Sequence, residues 1–377
     1  MMQKKGLYLL ILTAFLLLFS CMKEDHLGIG RGDLPVKSHE GLFITCEGNF
    51  TYNNASLSYY DIAHKEVYNE VFFTVNGLSL GDVAQSVVLR DSLLYVVVNN
   101  SGKIIVLDAD DFSFKKKITG FTSPRYIHFL SREKAYVTDL YAHAIAIVDL
   151  EEDTISGYIS VHNTLSAFNQ HPTEQMVAIG NRVFVNCWSY DRKILVIDSD
   201  RDKVIDSVAV AKQPNSMVLD KYNRLWVLSD GGYPGSPYGQ EHPALTCIEP
   251  YSLSIIDTIM MDMADAPSEL AINGTRDTLF FLNGDLYYMA VVGMDAPEIF
   301  VESPYEQSYM GGFYGLGVDP ATSEVYVADA IDYNQPGVVY RYSPHAMPLD
   351  TFQVGIIPGA FCFKEKMLPS NSTIQRR

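Results

Sequence analysis

The sequence predicts an all-β protein, a seven-bladed β-propeller of four-stranded antiparallel blades, closed by pairing the C-terminal strand with the N-terminal blade. Three observations predict it. A short motif recurs through the body of the chain; all but its last copy are followed by the same turn-and-strand pattern; and the two ends of the chain each lack what the other carries.

The motif comes first. Segments beginning at Ala84, Pro124, Pro214, Pro267 and Pro358 resemble one another, with weaker copies at Thr173 and Phe313. After each of the first six comes a tight polar turn and a β-branched or aromatic run, such as Leu93–Val98, Val183–Asn186, Leu225–Leu228 and Val325–Ala328. A third run often ends in Asp, as at Asp108, Asp149 and Asp198, and a fourth follows after a polar turn. Short runs with regular turn punctuation describe antiparallel four-stranded units.

Closure follows from the ends. The motif at Pro358 has no strands after it, and the run beginning at Leu42 has no inner strand before it. Pro358–Phe363 is therefore expected to supply the innermost strand of a first blade whose outer strands lie within residues 42–72. Such closure removes exposed sheet edges. The expected organisation is a leader over 1–20, a lipidated N-terminus and flexible tether over 21–39, the propeller over 40–366 and a tail over 367–377.

The leader reading rests on Lys4 and Lys5 followed by an apolar run from Leu7 to Phe19, too short to span a bilayer. It ends in Leu18, Phe19, Ser20 and Cys21, a lipobox-like order that predicts cleavage before Cys21 and lipidation of it. An ordinary secretory leader that happens to end in Cys is the alternative. A multi-chain lipid anchor holds firmly, because each buried methylene adds about 0.8 kcal/mol. Met22 is not the Asp of inner-membrane retention, and Lys23, Glu24 and Asp25 resemble a surface-export signal, so the expected location is the outer membrane, with the domain exposed at the cell surface.

Charge excludes a partner class. The formal net charge of −17 becomes −19 once Lys4 and Lys5 leave with the leader. Basic residues are scattered apart from Lys115–Lys117, so nucleic acid is not an expected partner. Cys46, Cys187, Cys247 and Cys362 fit no zinc spacing and lie in or beside strand-like runs, which favours buried free thiols over bridges.

Propeller geometry then turns sequence position into faces. Loops joining second to third strands share one face with the residues leading into the inner strands. Those loops carry Phe50, Tyr52, Asn53, Tyr141, Trp188, Tyr190, Tyr233, Tyr238 and Tyr333. The inner-strand starts add Gln85, Arg125, Tyr126, Gln175, Asn215, Glu269 and Tyr314, whereas the opposite hairpins carry a single aromatic, Tyr222. Rigid rings interleaved with amides and one guanidinium suit a large, flat, partly apolar ligand with amide groups on its edge.

Catalysis and metal binding have less support. Glu174, Glu269 and Asp329 could approach the axis, but hydrogen bonding to loop backbone is the expected role for all three. The histidines show no paired metal spacing, and no serine sits in a nucleophile elbow. The chain is expected not to be an enzyme, with no catalytic cofactor and no metal ligands.

A family resemblance adds to this. Glu47–Phe50 with Asn54–Tyr60, Gly81–Ser86, Gly120–His128, Val185–Tyr190, Asp230–Gly239 and Tyr326–Tyr333 resemble the BtuG family, cobalamin-binding surface lipoproteins of Bacteroides among the YncE-like propellers. The resemblance runs from about residue 41 to 364. It implies capture of cobalamin (vitamin B12) or a related corrinoid, and delivery to a TonB-dependent outer-membrane transporter of the BtuB kind. On that reading, aromatic rings would pack on the macrocycle, Asn and Gln on its amides and Arg125 on its phosphate. A siderophore or haem ligand, or a metal-dependent lactonase, are the alternatives.

Overall fold

A computed structural model describes residues 34–38, 40–293, 296–304 and 312–364. The leader, Cys21, most of the tether and the tail lie outside the described residues.

The described chain forms seven four-stranded antiparallel sheets. Blade one pairs Pro358–Lys364, Gly41–Cys46, Ser56–Asp61 and Glu66–Tyr68 in that order. The inner strands of blades two to seven are Ala84–Arg90, Pro124–Phe129, Thr173–Ile179, Pro214–Leu219, Ser268–Ile272 and Phe313–Val318. Closure occurs as the sequence predicts, with Leu42 opposite Phe363 and Ile44 opposite Phe361. One expectation needs correction: the outer strand of blade one ends at Tyr68, and Val71–Asn76 is a short helix, α1. Val71 and Phe72 are buried between blades one and two, and the Asn76 amide bonds the Phe72 and Phe112 carbonyls.

The core lies between blades. Along Arg182–Cys187, Val183, Val185 and Cys187 pack toward blade three, whereas Phe184 packs toward blade five. Trp226 packs toward Phe281 and Met289 of blade six, and its neighbours Leu225 and Val227 pack toward blade four. Both faces of each second strand are therefore buried, which is why these strands read as unbroken apolar runs. The four cysteines are free thiols, three of them fully buried.

The recurring Asp at third-strand ends has a local cause. Asp108, Asp149 and Asp198 each accept backbone N–H bonds from the residues two and three positions on, closing the turn into the fourth strand. Asp149→Ala, which loses bonds of 2.9 and 3.1 Å from Glu151 and Glu152, should lower stability by about 1 kcal/mol. Urea unfolding would read this, and an unchanged midpoint would show that the carboxylate does not hold the turn.

Candidate functional site

Every inner strand begins with an irregularity. The register against the second strand shifts between Ala84 and Ser86, Pro124 and Ile127, Thr173 and Met176, Pro214 and Ser216, Ser268 and Ala271, and Phe313 and Gly315. Blade one shifts opposite Pro358, between Ile44 and Cys46. Such bulges re-aim side chains. Here the second residue of each inner strand reaches the axis: Gln85, Arg125, Glu174, Asn215, Glu269, Tyr314 and Gly359 all line one cavity of about 560 Å³.

Gly359 is the exception that completes the ring. A Cβ there would meet Glu47 Oε1 at 2.7 Å, so the glycine leaves room for a carboxylate from the neighbouring strand end. Glu47 Oε1 accepts from the Tyr314 hydroxyl at 3.0 Å. Arg125 Nε donates to Glu174 Oε2 at 2.8 Å, and its Nη1 donates to Gln85 Oε1. Two of the five guanidinium donors are thus committed within the ring. The other Glu174 oxygen, Oε1, is buried and has no protein partner.

Three carboxyl groups facing one guanidinium in a recess that strips away their water cannot all stay ionised cheaply. Burial, with the charges of Glu47 and Glu174, pushes Glu269 up to about 8. Burial raises Glu47 to about 7 against the opposing effects of Tyr314 and Arg125. Burial also raises Glu174, held back by Arg125. The floor of the cavity therefore favours a protonated Glu269 at neutral pH, with Glu47 poised near its midpoint, beside the unpartnered Oε1 of Glu174.

The walls come from the second-to-third loops. Trp188 Nε1 donates to Asp230 Oδ2 at 2.9 Å, and Asp230 Oδ1 accepts from the Gly232 N–H at 2.8 Å. This ties blade four to the long blade-five loop, which also presents Tyr233 to the cavity. Tyr333 meets Tyr314 edge-to-face at 5.6 Å, and its carbonyl accepts from the Asn49 amide at 2.6 Å.

Nine of the sequence-predicted residues line the cavity: Gln85, Arg125, Tyr126, Trp188, Asn215, Tyr233, Glu269, Tyr314 and Tyr333. Phe50, Tyr52 and Tyr141 stand exposed outside it, and Asn53 also lies outside. Tyr190 and Tyr238 join a rim cluster, with Tyr190 stacked on Phe168 at 4.2 Å and Tyr238 5.6 Å away. Gln175 is off by one position. Its Oε1 accepts from the Met217 N–H at 3.1 Å, and Glu174 takes the axial place. The backbone-bonding role expected for the acidic residues holds only for Asp329, whose Oδ1 accepts from Ile331 N–H at 2.7 Å. Glu174, Glu269 and Glu47 converge instead. Among the ring, wall and rim residues, Glu47, Gln213, Asp230 and Phe168 were not expected to form the site, and Glu174 was expected near the axis only as a backbone-bonding residue. Strict alignment of the motif would have found Glu174; Glu47 has no signal except the glycine at 359.

A larger hollow of about 820 Å³ opens elsewhere, lined by Val87–Leu89, Phe361–Lys364 and the segment at Lys37. Its lining includes Lys37 and Lys364, close to the two ends of the described chain. The axial cavity, built from one residue per blade, is the candidate site.

Fold and site together define a seven-bladed propeller with an axial pocket ringed by polar groups and walled by aromatic ones. The chain belongs to the DUF5074 family, a domain of unknown function, which it matches over residues 40–342. No curated protein matches. Among solved structures it is similar to a quinoprotein alcohol dehydrogenase-like protein of Bacteroides thetaiotaomicron, at 14% identity and a TM-score of 0.65, covering 87% of this chain and 79% of that one. It is similar to the periplasmic gluconolactonase of Pseudomonas aeruginosa, at 12% identity and a TM-score of 0.61, covering 86% of this chain and 99% of that one. Virginiamycin B lyase of Staphylococcus aureus matches at 12% identity and a TM-score of 0.57, covering 74% and 91%. At these identities the likeness is one of fold.

Proposed function

We propose that this protein is a lipid-anchored cell-surface binding protein that captures cobalamin or a related corrinoid on its axial face. It then passes the ligand to a TonB-dependent outer-membrane transporter of the BtuB kind. The observation that carries the reading is the pairing of a polar floor with an aromatic wall in one open cavity. A corrinoid has a flat apolar macrocycle edged with amides. Glu269 and Glu47, when protonated, donate to amide oxygens; Glu174 Oε1 accepts from an amide N–H; Trp188, Tyr233 and Tyr333 cover apolar surface. The exposed Phe50, Tyr52 and Tyr141 extend the contact beyond the cavity, and the BtuG-like motifs supply the wall residues Trp188, Tyr233 and Tyr333. Lipidation at Cys21 would keep the captured ligand beside its transporter.

Mixing the unlipidated domain with cyanocobalamin and separating by size exclusion tests this. Red absorbance should travel with the protein at micromolar concentrations, and its absence there would overturn the reading.

A second reading, lactone hydrolysis, is favoured by the convergence of three axial carboxyl groups and the likeness in fold to a gluconolactonase. Hydrolysis of gluconolactone that a chelator abolishes, without corrinoid binding, would establish it in place of the first.

A further inference from the structure

Blade four brings together three side chains of different chemistry beneath the Trp188 loop. His171 precedes the inner strand Thr173–Ile179, Cys187 ends the second strand Arg182–Cys187, and Asp191 lies four residues on. Pairing of Thr173 with Cys187 brings His171, two residues before Thr173, close to Cys187. A ligand atom from each of the three lies within 4.8 Å of the other two. His171 Nδ1 is 2.5 Å from Asp191 Oδ2, and Asp191 Oδ1 accepts from Arg192 N–H at 2.6 Å, which orients the carboxylate. No sequence spacing announces this cluster, because the strand pairing makes it.

We propose that His171, Cys187 and Asp191 form a three-ligand site for a borderline divalent cation of the zinc kind, with water in the fourth position. One nitrogen, one sulfur and one oxygen donor suit such an ion. Metal–ligand bonds of about 2.0–2.3 Å place tetrahedral donors about 3.3–3.7 Å apart, so His171 Nδ1 and Asp191 Oδ2, now 2.5 Å apart, must part by about 1 Å while the Cys187 sulfur, within 4.8 Å, closes on them by up to about 1 Å. The His171 and Asp191 side chains are 17% and 7% exposed, which leaves a path for the ion and its water, whereas Cys187 is fully buried. On binding, the Cys187 thiol proton passes to solvent, the imidazole of His171 binds in its neutral form with its proton on Nε2, and Sγ, Nδ1 and Oδ2 take the metal. Cys187 and Asp191 bracket residues 188–190. The ion would therefore brace the loop that presents Trp188 to the cavity and Tyr190 to the rim. This site stands independently of what the axial cavity binds.

The test uses chelator-stripped protein titrated with zinc alone and, separately, with cobalt(II). One equivalent of zinc should be retained after desalting, and cobalt should develop a thiolate-to-metal charge-transfer band. Cys187→Ser should abolish that band, and Cys187→Ser and His171→Asn should each weaken zinc binding at least tenfold. A control pair, His143→Ala with His162→Ala, removes the other close histidines, whose rings are 6.4 Å apart, and should leave binding unchanged. Failure to retain zinc, a cobalt complex without the thiolate band, or binding lost only in the control pair would each overturn the proposal. The wild-type cobalt spectrum decides the matter even if a variant fails to fold.

Discussion

Trp188→Ala should weaken corrinoid capture about a hundredfold, or roughly 2–4 kcal/mol, the range found when a central aromatic anchor is truncated. Trp188 is only partly buried in the free protein, lines the cavity, and is fixed by its bond to Asp230. A pre-fixed ring loses little rotamer freedom on binding, so most of its contact counts toward affinity. Trp188→Phe retains a ring but releases Asp230, and should fall between wild type and alanine. Tyr141→Ala, at a site 66% exposed and outside the cavity, should cost far less. Isothermal titration across the four proteins would read this order. Equal losses for Trp188→Ala and Tyr141→Ala would move the binding centre out to the rim.

Stability should fall as pH rises from about 4.5 to about 8, with a large part of that slope due to Glu47 and Glu269. Their folded values, about 7 and about 8, lie above the ordinary 4.5. Through that window the unfolded chain loses protons that the folded chain keeps, so deprotonation favours unfolding. The contribution is fully present below about 4.5, declines through the folded values and is constant above them. Each pKa unit is worth about 1.4 kcal/mol. Because part of the Glu269 shift comes from the Glu47 charge and both border an open cavity, about 4 kcal/mol is expected for the pair, less than their simple sum. Half-buried His128, whose value is lowered by burial, works in the opposite direction. The difference between variants is therefore the clean readout. Glu269→Gln, neutral at every pH, should flatten the slope and leave the protein more stable than wild type at pH 8–9. Denaturant unfolding at pH 5, 7 and 9 measures it, and an identical slope in both proteins would refute the origin assigned here.

The protonated floor also bears on ligand capture. Donors that exist only while Glu269 holds its proton bind an amide-edged ligand better below pH 8 than above it. This couples the cavity's chemistry to the same carboxyls that set the stability slope.

How much was legible beforehand differs by feature. Blade number, closure and the aromatic dressing of one face could be read from the sequence, because each rests on short-range patterns. Strand runs, turn residues such as Asp108 and Asp149, and the complementary ends at Leu42 and Pro358 are all local. The nine cavity residues found in advance follow from one rule, that loop and inner-strand starts share a face. Gln175 failed because the bulge at the head of its strand decides which of two adjacent residues faces the axis, and a bulge is a property of pairing with a neighbour. Glu47 was invisible for a related reason. It belongs to a loop by sequence and reaches the axis only because Gly359, more than 300 residues away, leaves a gap there.

The sequence by itself determined the seven blades, the way the ring closes and the aromatic dressing of one face, since periodic burial and turn chemistry act over a few residues. Only the tertiary structure decided that three carboxyl groups and one guanidinium meet on the axis, and that burial raises the pKa of all three carboxyls. The same is true of His171, Cys187 and Asp191, gathered beneath Trp188. These are facts of convergence and desolvation, which depend on distances between blades that no local pattern encodes.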